Sequence, residues 1–268
     1  HELIDTSVDD YIDEAENLIF QVEENKFKPS FFSMKDIVMD NVKTIERLSQ
    51  NKQFVIGVPT GYTELDKMTS GLQPSDLIVV AGRPSMGKTA FCMNIAQYIS
   101  MLKDDPVSVG IFSMEMSKEQ LVTRLLSAES EIDHSKLRAG ALSHVEWRSL
   151  SEAASKLIEA SIFIDDSPSM GVLELRARAR RLKKEHSLGI IMIDYLQLMK
   201  GRTNIERREQ EISEISRSLK SLAKELNIPV IAISQLNRMV EQRDNKRPRL
   251  SDLRESGAIE QDADVIIF

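Results

Sequence analysis

The run Gly82-Arg83-Pro84-Ser85-Met86-Gly87-Lys88-Thr89 has the form G-x-x-x-x-G-K-[ST] and brings together residue types suited to holding an oligophosphate. Glycines let backbone N–H groups approach phosphate oxygens, a helix N-terminus complements negative charge, and a lysine neutralises part of it. Gly82, Ser85, Gly87 and Ala90 are read as the cradle, Lys88 as the side chain that reaches the β- and γ-phosphates, and Thr89 as a Mg²⁺ ligand. A chain of this length meets the pattern by accident only about 1% of the time, given ordinary glycine usage. The chemistry is that of a nucleoside triphosphate. A guanine-reading N-K-x-D is absent, because none of the pairs Asn25-Lys26, Asn51-Lys52 and Asn245-Lys246 has Asp two residues after its lysine.

Three further polar residues stand at the ends of apolar runs. Asp194 closes Ile190-Ile191-Met192-Ile193, where a carboxylate at the carboxyl end of a buried parallel strand can hold Mg²⁺. Glu115 follows the run ending at Ser113 and precedes Ser117 and Gln120, a capping box for the next helix, so it sits in a strand-to-helix turn. From there it can orient and deprotonate an attacking water. Gln235 follows the run Pro229–Ile233 through Ser234, and its amide can hydrogen-bond a γ-phosphate. Taken singly, each has a plainer reading: a turn acid, a solvated loop glutamate, a polar strand end. Their convergence on one kind of chemistry carries more weight than any of them alone.

Short apolar runs alternating with helical stretches must position these residues, and they indicate an α/β fold with a mostly parallel sheet flanked by helices. Strands are expected at 77–81, 107–113, 162–165, 190–194, 229–233 and 264–268, with a clear helix near 205–226 from the spacing of Ile212, Ile215, Leu219, Leu222 and Leu226. Two amphipathic helices precede them. One covers 8–22 and the other, capped by Ser33, runs through Ile37, Val38, Val42, Ile45 and Leu48. This divides the chain into residues 1–50 and a core of 51–268. The chain ends within an expected strand, which points to a core truncated at that end.

Composition narrows the function class. No stretch approaches the roughly 18 to 20 apolar residues of a membrane span, no basic and then apolar leader opens the chain, and Cys92 is the only cysteine. A reducing, cytoplasmic setting is expected, with no membrane partner. The net charge is −7, but residues 1–24 hold nine acids and no Lys or Arg, so the remainder is mildly basic. Two windows concentrate positive charge. The loop 243–254 can offer cations to a phosphodiester backbone or be merely solvated, whereas the helix 172–186 reads first as a solvated or subunit-contacting face, with DNA contact as the lesser alternative. Trp147, Cys92 and the methionines are expected in the core.

Six stretches resemble the DnaB-type replicative helicases: Gly57–Asp66 (GVPTGYTELD), the Gly82–Thr89 loop, Ser113–Ser117 (SMEMS), Ile193–Leu198 (IDYLQL), Ser234–Arg238 (SQLNR) and Ser251–Asp264 (SDLRESGAIEQDAD). The resemblance covers essentially the whole chain. It implies a RecA-like P-loop ATPase core that forms a ring, usually of six copies, around single-stranded DNA, moves along it 5′ to 3′, and unwinds duplex at the fork. Primase and a helicase loader are implied partners, and residues 1–50 resemble the end of the N-terminal region and the linker helix that docks on a neighbouring subunit. By position the resemblance implies ATP and Mg²⁺ at Lys88, Thr89 and Asp194, Glu115 as catalytic base, Gln235 as γ-phosphate sensor, and Arg254, Glu255 and Gly257 on the loop gripping DNA. Departures from the family pattern are the absence of the compact N-terminal domain, the absence of the final strands with their trans-acting basic finger, and a short Lys200–Ile205, so no DNA contact is carried onto that segment. The alternatives are a RecA-type recombinase or switch ATPase, against which SDLRESGAIEQDAD speaks, and a nucleotide-gated scaffold, against which Glu115 speaks.

Overall fold

The computed structural model describes residues 33–51, 55–200 and 208–268, with the backbone alone for 40, 44, 47–51 and 254–258. The described residues fall into two compact units, divided after Gln53. In the first, α1 (Met34–Asn51) begins where Ser33 was expected to cap it, with the Asp36 N–H donating to Ser33 Oγ at 3.1 Å. Within this unit Met34, Ile37, Val38, Val42 and Ile45 are all exposed. The expected helix over 8–22 lies outside the described residues.

The second unit opens with α2 (Thr63–Thr69) and is organised by β1 (Leu77–Gly82), β2 (Val109–Ser113), β3 (Ile162–Asp165), β4 (Ile190–Asp194), β5 (Val230–Gln235) and β6 (Val265–Ile267). They form one sheet in the order β3-β2-β4-β5-β1-β6, and every pairing is parallel. Alternation along the central strands sends side chains to two separate cores. Leu77, Val79, Ile191, Ile193, Val230 and Ala232 pack on one face with Leu175 and Ala179 of α7 (Val172–His186) and Ile212, Ile215, Leu219 and Leu222 of α8 (Arg208–Leu226). Ile78, Val80, Ile190, Met192, Ile231 and Ile233 pack on the other with Cys92, Ile95 and Ile99 of α3 (Lys88–Ser100) and Leu121 and Leu125 of α4 (Lys118–Ser130). Burial on both faces is why these strands read as unbroken apolar runs in the sequence.

Three expectations are corrected. β5 runs on through Ser234 and Gln235, because these two residues pair with Ala81 and Gly82 of β1; Gln235 therefore ends the strand instead of following it. β2 starts at Val109, so Val107 and Ser108 precede it. Trp147 is 53% exposed, since Ala153 is the buried residue of α6 (His144–Glu159), which follows α5 (His134–Ala139); Cys92 is buried as expected, while the methionines divide between core (Met93, Met192) and surface (Met68, Met86). The basic helix α7 keeps its Leu175 and Ala179 face inward and ties its arginines to acids. Arg176 and Arg180 both hold Glu225, whose carboxyl is pulled down to about 2 by the Arg180 hydrogen bond first and that of Arg176 second. Among the described residues no helix is long and apolar enough to cross a membrane.

Candidate nucleotide site

Parallel pairing places the strand ends β2, β4, β5 and β1 side by side at the carboxyl edge, where open α/β sheets bind ligands. Register then sets which residues meet. Gly82 lies opposite Gln235, and Ser113 lies opposite Asp194.

The turn expected to hold phosphate leaves β1 at buried Gly82 and enters α3 at Lys88. Ser85 (φ 63°) and Gly87 (φ 88°) are both left-handed, a conformation that turns successive N–H groups toward a common concavity. At Gly87 no heavy atom lies within 4 Å of the place a Cβ would take, so backbone conformation and not packing calls for glycine, and the space above it is open. Ser85, Gly87 and Ala90 are exposed there, while Lys88 and Thr89 are half-buried. Lys88 Nζ donates to the Arg83 carbonyl at 2.9 Å. Burial lowers its pKa, opposed by the nearby charges of Asp194 and Glu115.

Thr89 and Asp194, 105 residues apart, meet directly: Thr89 Oγ1 donates to Asp194 Oδ2 at 2.8 Å. Asp194 is only 3% exposed. Burial raises its pKa, the Thr89 hydrogen bond lowers it, and the charge of Glu115 raises it further. A hydroxyl and a carboxylate placed together beside an open phosphate cradle suit Mg²⁺, which takes one or two protein oxygens and completes its shell with phosphates and water. The described residues contain no cluster of three or more His, Cys, Asp or Glu that would form an all-protein metal cage.

Glu115 is exposed in the turn between β2 and α4. The capping box expected from Ser117 and Gln120 fixes that turn: the Gln120 N–H donates to Ser117 Oγ at 3.4 Å and the Ser117 N–H to Gln120 Oε1 at 3.1 Å. On the opposite flank the backbone of Gln235 is clasped by Gln197. Its Nε2 donates to Ser234 Oγ at 2.9 Å and to the Gln235 carbonyl at 3.3 Å, and its Oε1 accepts from the Gln235 N–H at 3.3 Å. Tyr195 lies beside Asp194, its pKa raised by burial and then by the charges of Glu115 and Asp194. Sequence reasoning passed over Gln197 and Arg83; the available signal was that each stands within two or three residues of a motif residue already singled out.

The structure thus brings together Gly82, Lys88, Thr89, Glu115, Asp194 and Gln235. Arg254 and Glu255 lie in the 3₁₀ segment Leu250–Ser256, and Gly257 opens α9 (Gly257–Asp262). That segment returns to the exit of β5, where the Asn237 N–H donates to the Asp252 carbonyl at 3.0 Å.

Comparison with known proteins bears on the family and the fold. The DnaB-like helicase C terminal domain model matches residues 57–268. Replicative DNA helicase DnaB of Geobacillus stearothermophilus and replicative DNA helicase DnaC of Bacillus subtilis (strain 168) are each 52% identical over 262 residues, 97% of this chain. The chain spans 57% of the length of each of these relatives. Among solved structures, a protein solved as its ATPase domain superposes with a TM-score of 0.82 at 40% identity, covering 88% of this chain and 83% of that one. A DnaB-like replicative helicase, studied for its interactions with primase, gives a TM-score of 0.78 at 38% identity, covering 95% and 60%. The sheet and its helices are those of a RecA-like ATPase core, and with a family match running from Gly57 to Phe268 the chain belongs to the DnaB-like helicase C-terminal domain family.

Proposed function

We propose that this chain is the motor of a replicative DNA helicase, hydrolysing ATP to move along single-stranded DNA and separate the duplex at a fork. The observation that supports the reading is the Thr89–Asp194 hydrogen bond, a hydroxyl and a carboxylate side by side next to the open Gly82–Thr89 turn, as a Mg²⁺ site would need. The names of the relatives, replicative DNA helicases, support the biological setting. A ring of copies in the cytoplasm, with primase and a loader as partners, belongs to the same proposal, and the solved helicase studied with primase supports the primase part of it.

Catalysis here is positioning and electrostatics. The N–H groups of the turn and the N-terminus of α3 receive the phosphates, and Lys88 leaves its carbonyl partner to neutralise the β- and γ-oxygens. Thr89 Oγ1 and the Asp194 carboxylate would hold Mg²⁺, which supplies Lewis-acid neutralisation of phosphate charge when bound. Glu115 aligns the attacking water and takes its proton. Gln235, clasped by Gln197 at the end of β5, offers its amide to the γ-phosphate and registers its loss. Arg254, Glu255 and Gly257 are the proposed contacts to the DNA backbone.

The test is ATP turnover, with and without single-stranded DNA, by the protein carrying this chain. Lys88→Ala should lower it by at least about 100-fold, the scale of losing a principal charge-stabilising group. Retained turnover would remove Lys88 from the phosphates and the reading with it.

A further inference from the structure

Arg83 occupies a position in the phosphate turn where the motif asks nothing of the residue type. Its side chain is nevertheless only 15% exposed. Nη1 donates to the Leu236 carbonyl at 2.8 Å and Nε to Glu241 Oε1 at 2.6 Å, while the Arg83 carbonyl accepts from Lys88 Nζ at 2.9 Å. One residue therefore grips the phosphate lysine on one side and, from 153 and 158 positions away, the segment leaving β5 on the other.

The bonded path continues. Asn237, next to Leu236, donates its N–H to the Asp252 carbonyl at 3.0 Å. The Asp252 carboxylate, buried at 7% exposure, accepts from the Arg249 N–H at 2.8 Å and from the Arg243 guanidinium, both within the basic window. A cleft of about 380 Å³, lined by Arg83, Gln235, Asn237 and Asp252 among others, runs alongside.

Glu241 holds the path closed. A planar guanidinium bound at two nitrogens cannot swing without breaking one bond, whereas the Leu236 carbonyl alone would leave it a hinge. The Glu241 side chain is 55% exposed, so the ion pair contributes little to stability, and its worth lies in where it keeps Arg83. Arg238 and Lys246 also stand near this carboxylate.

We propose that Glu241 is a positioning residue that latches the phosphate turn, through Arg83, to the segment joining β5 to the basic window, so that DNA in the window and the state of the γ-phosphate are felt by one another. The inference rests on the motor reading above and deepens it. Glu241→Gln and Glu241→Ala are to be compared with the unaltered protein for basal ATP turnover, turnover with oligothymidylate, oligothymidylate binding and thermal unfolding.

Basal turnover, DNA affinity and the unfolding midpoint should hold, the first two within about twofold, because the carboxylate removed is the solvent-exposed end of the pair and Arg83 keeps the Leu236 carbonyl. Stimulation by oligothymidylate should fall about fivefold or more in Glu241→Ala, with Glu241→Gln between, as for loss of a coupling contact. An unchanged stimulation ratio in both variants overturns the latch. So does a loss of basal and stimulated turnover by the same factor, which would make Glu241 a structural support of the turn. Absence of any DNA-stimulated turnover in the unaltered protein would instead remove the motor reading, and the latch with it.

Discussion

Asp194 is placed where a carboxylate is costly, at the position read as a Mg²⁺ ligand. At 3% exposure its charged form has lost most of its water, and Thr89 returns a single hydrogen bond. The folded chain therefore binds the Asp194 proton more tightly than the unfolded chain, where the ordinary value is 3.8. The folded state gains from protonation at low pH, and its stability falls as pH rises through the raised folded value; at neutral pH the cost is present in full. Asp194→Asn removes the charge and leaves an oxygen for Thr89 to donate to. The nucleotide-free variant should unfold at a higher temperature at pH 7 while losing Mg²⁺-dependent turnover; calorimetry showing a lower midpoint would mean that burial is not what governs this carboxyl. Lys88, with its pKa lowered by burial, is the complementary case: both charges are held short of solvation beside an open cradle.

Elements aim these residues through their ends. α4 begins with a reciprocal cap, so the three residues between β2 and the cap, Glu115 among them, are pinned at both ends. Ser117→Ala should cost about 1 kcal/mol in urea unfolding, the usual worth of an N-cap hydroxyl. Because Glu115 is read as acting on the attacking water, the same substitution should lower kcat more than it changes KM. A loss confined to stability would show that the cap holds the helix without aiming the glutamate. The capping box was legible because its signal spans four residues. The final residues of β5 were not, since Ser234 and Gln235 are strand only by virtue of Ala81 and Gly82 across the ladder.

At the scale of the whole molecule, charge is partitioned. Net charge is −7, nine acids fall within residues 1–24, and the basic window 243–254 lies at the other end of the chain. Overall sign is therefore a poor guide to a polyanionic partner. The positive helix α7 spends its arginines on Glu225, Asp165, Glu174 and Glu185, which leaves the window as the better candidate for the DNA backbone. Arg254→Ala should weaken single-stranded DNA binding and reduce the slope of log affinity against log salt by about 0.7, the release of one counterion from a single strand. An unaltered slope in a fluorescence titration over several salt concentrations would take Arg254 off the backbone.

What the amino-acid order determined by itself was everything encoded within a few residues: the glycine turn between β1 and α3, the caps at Ser33 and Ser117, the apolar runs of the strands, and Asp194 at the end of one of them. These are local because a turn, a cap or a buried run is specified by its own side chains and backbone torsions. Tertiary structure alone decided which strand ends are neighbours, that Gly82 faces Gln235, that Thr89 finds Asp194, and that Arg83 is held by Glu241. The last three pairings join residues more than a hundred positions apart. They follow from burying both faces of one sheet at once, a condition that no short window of sequence contains.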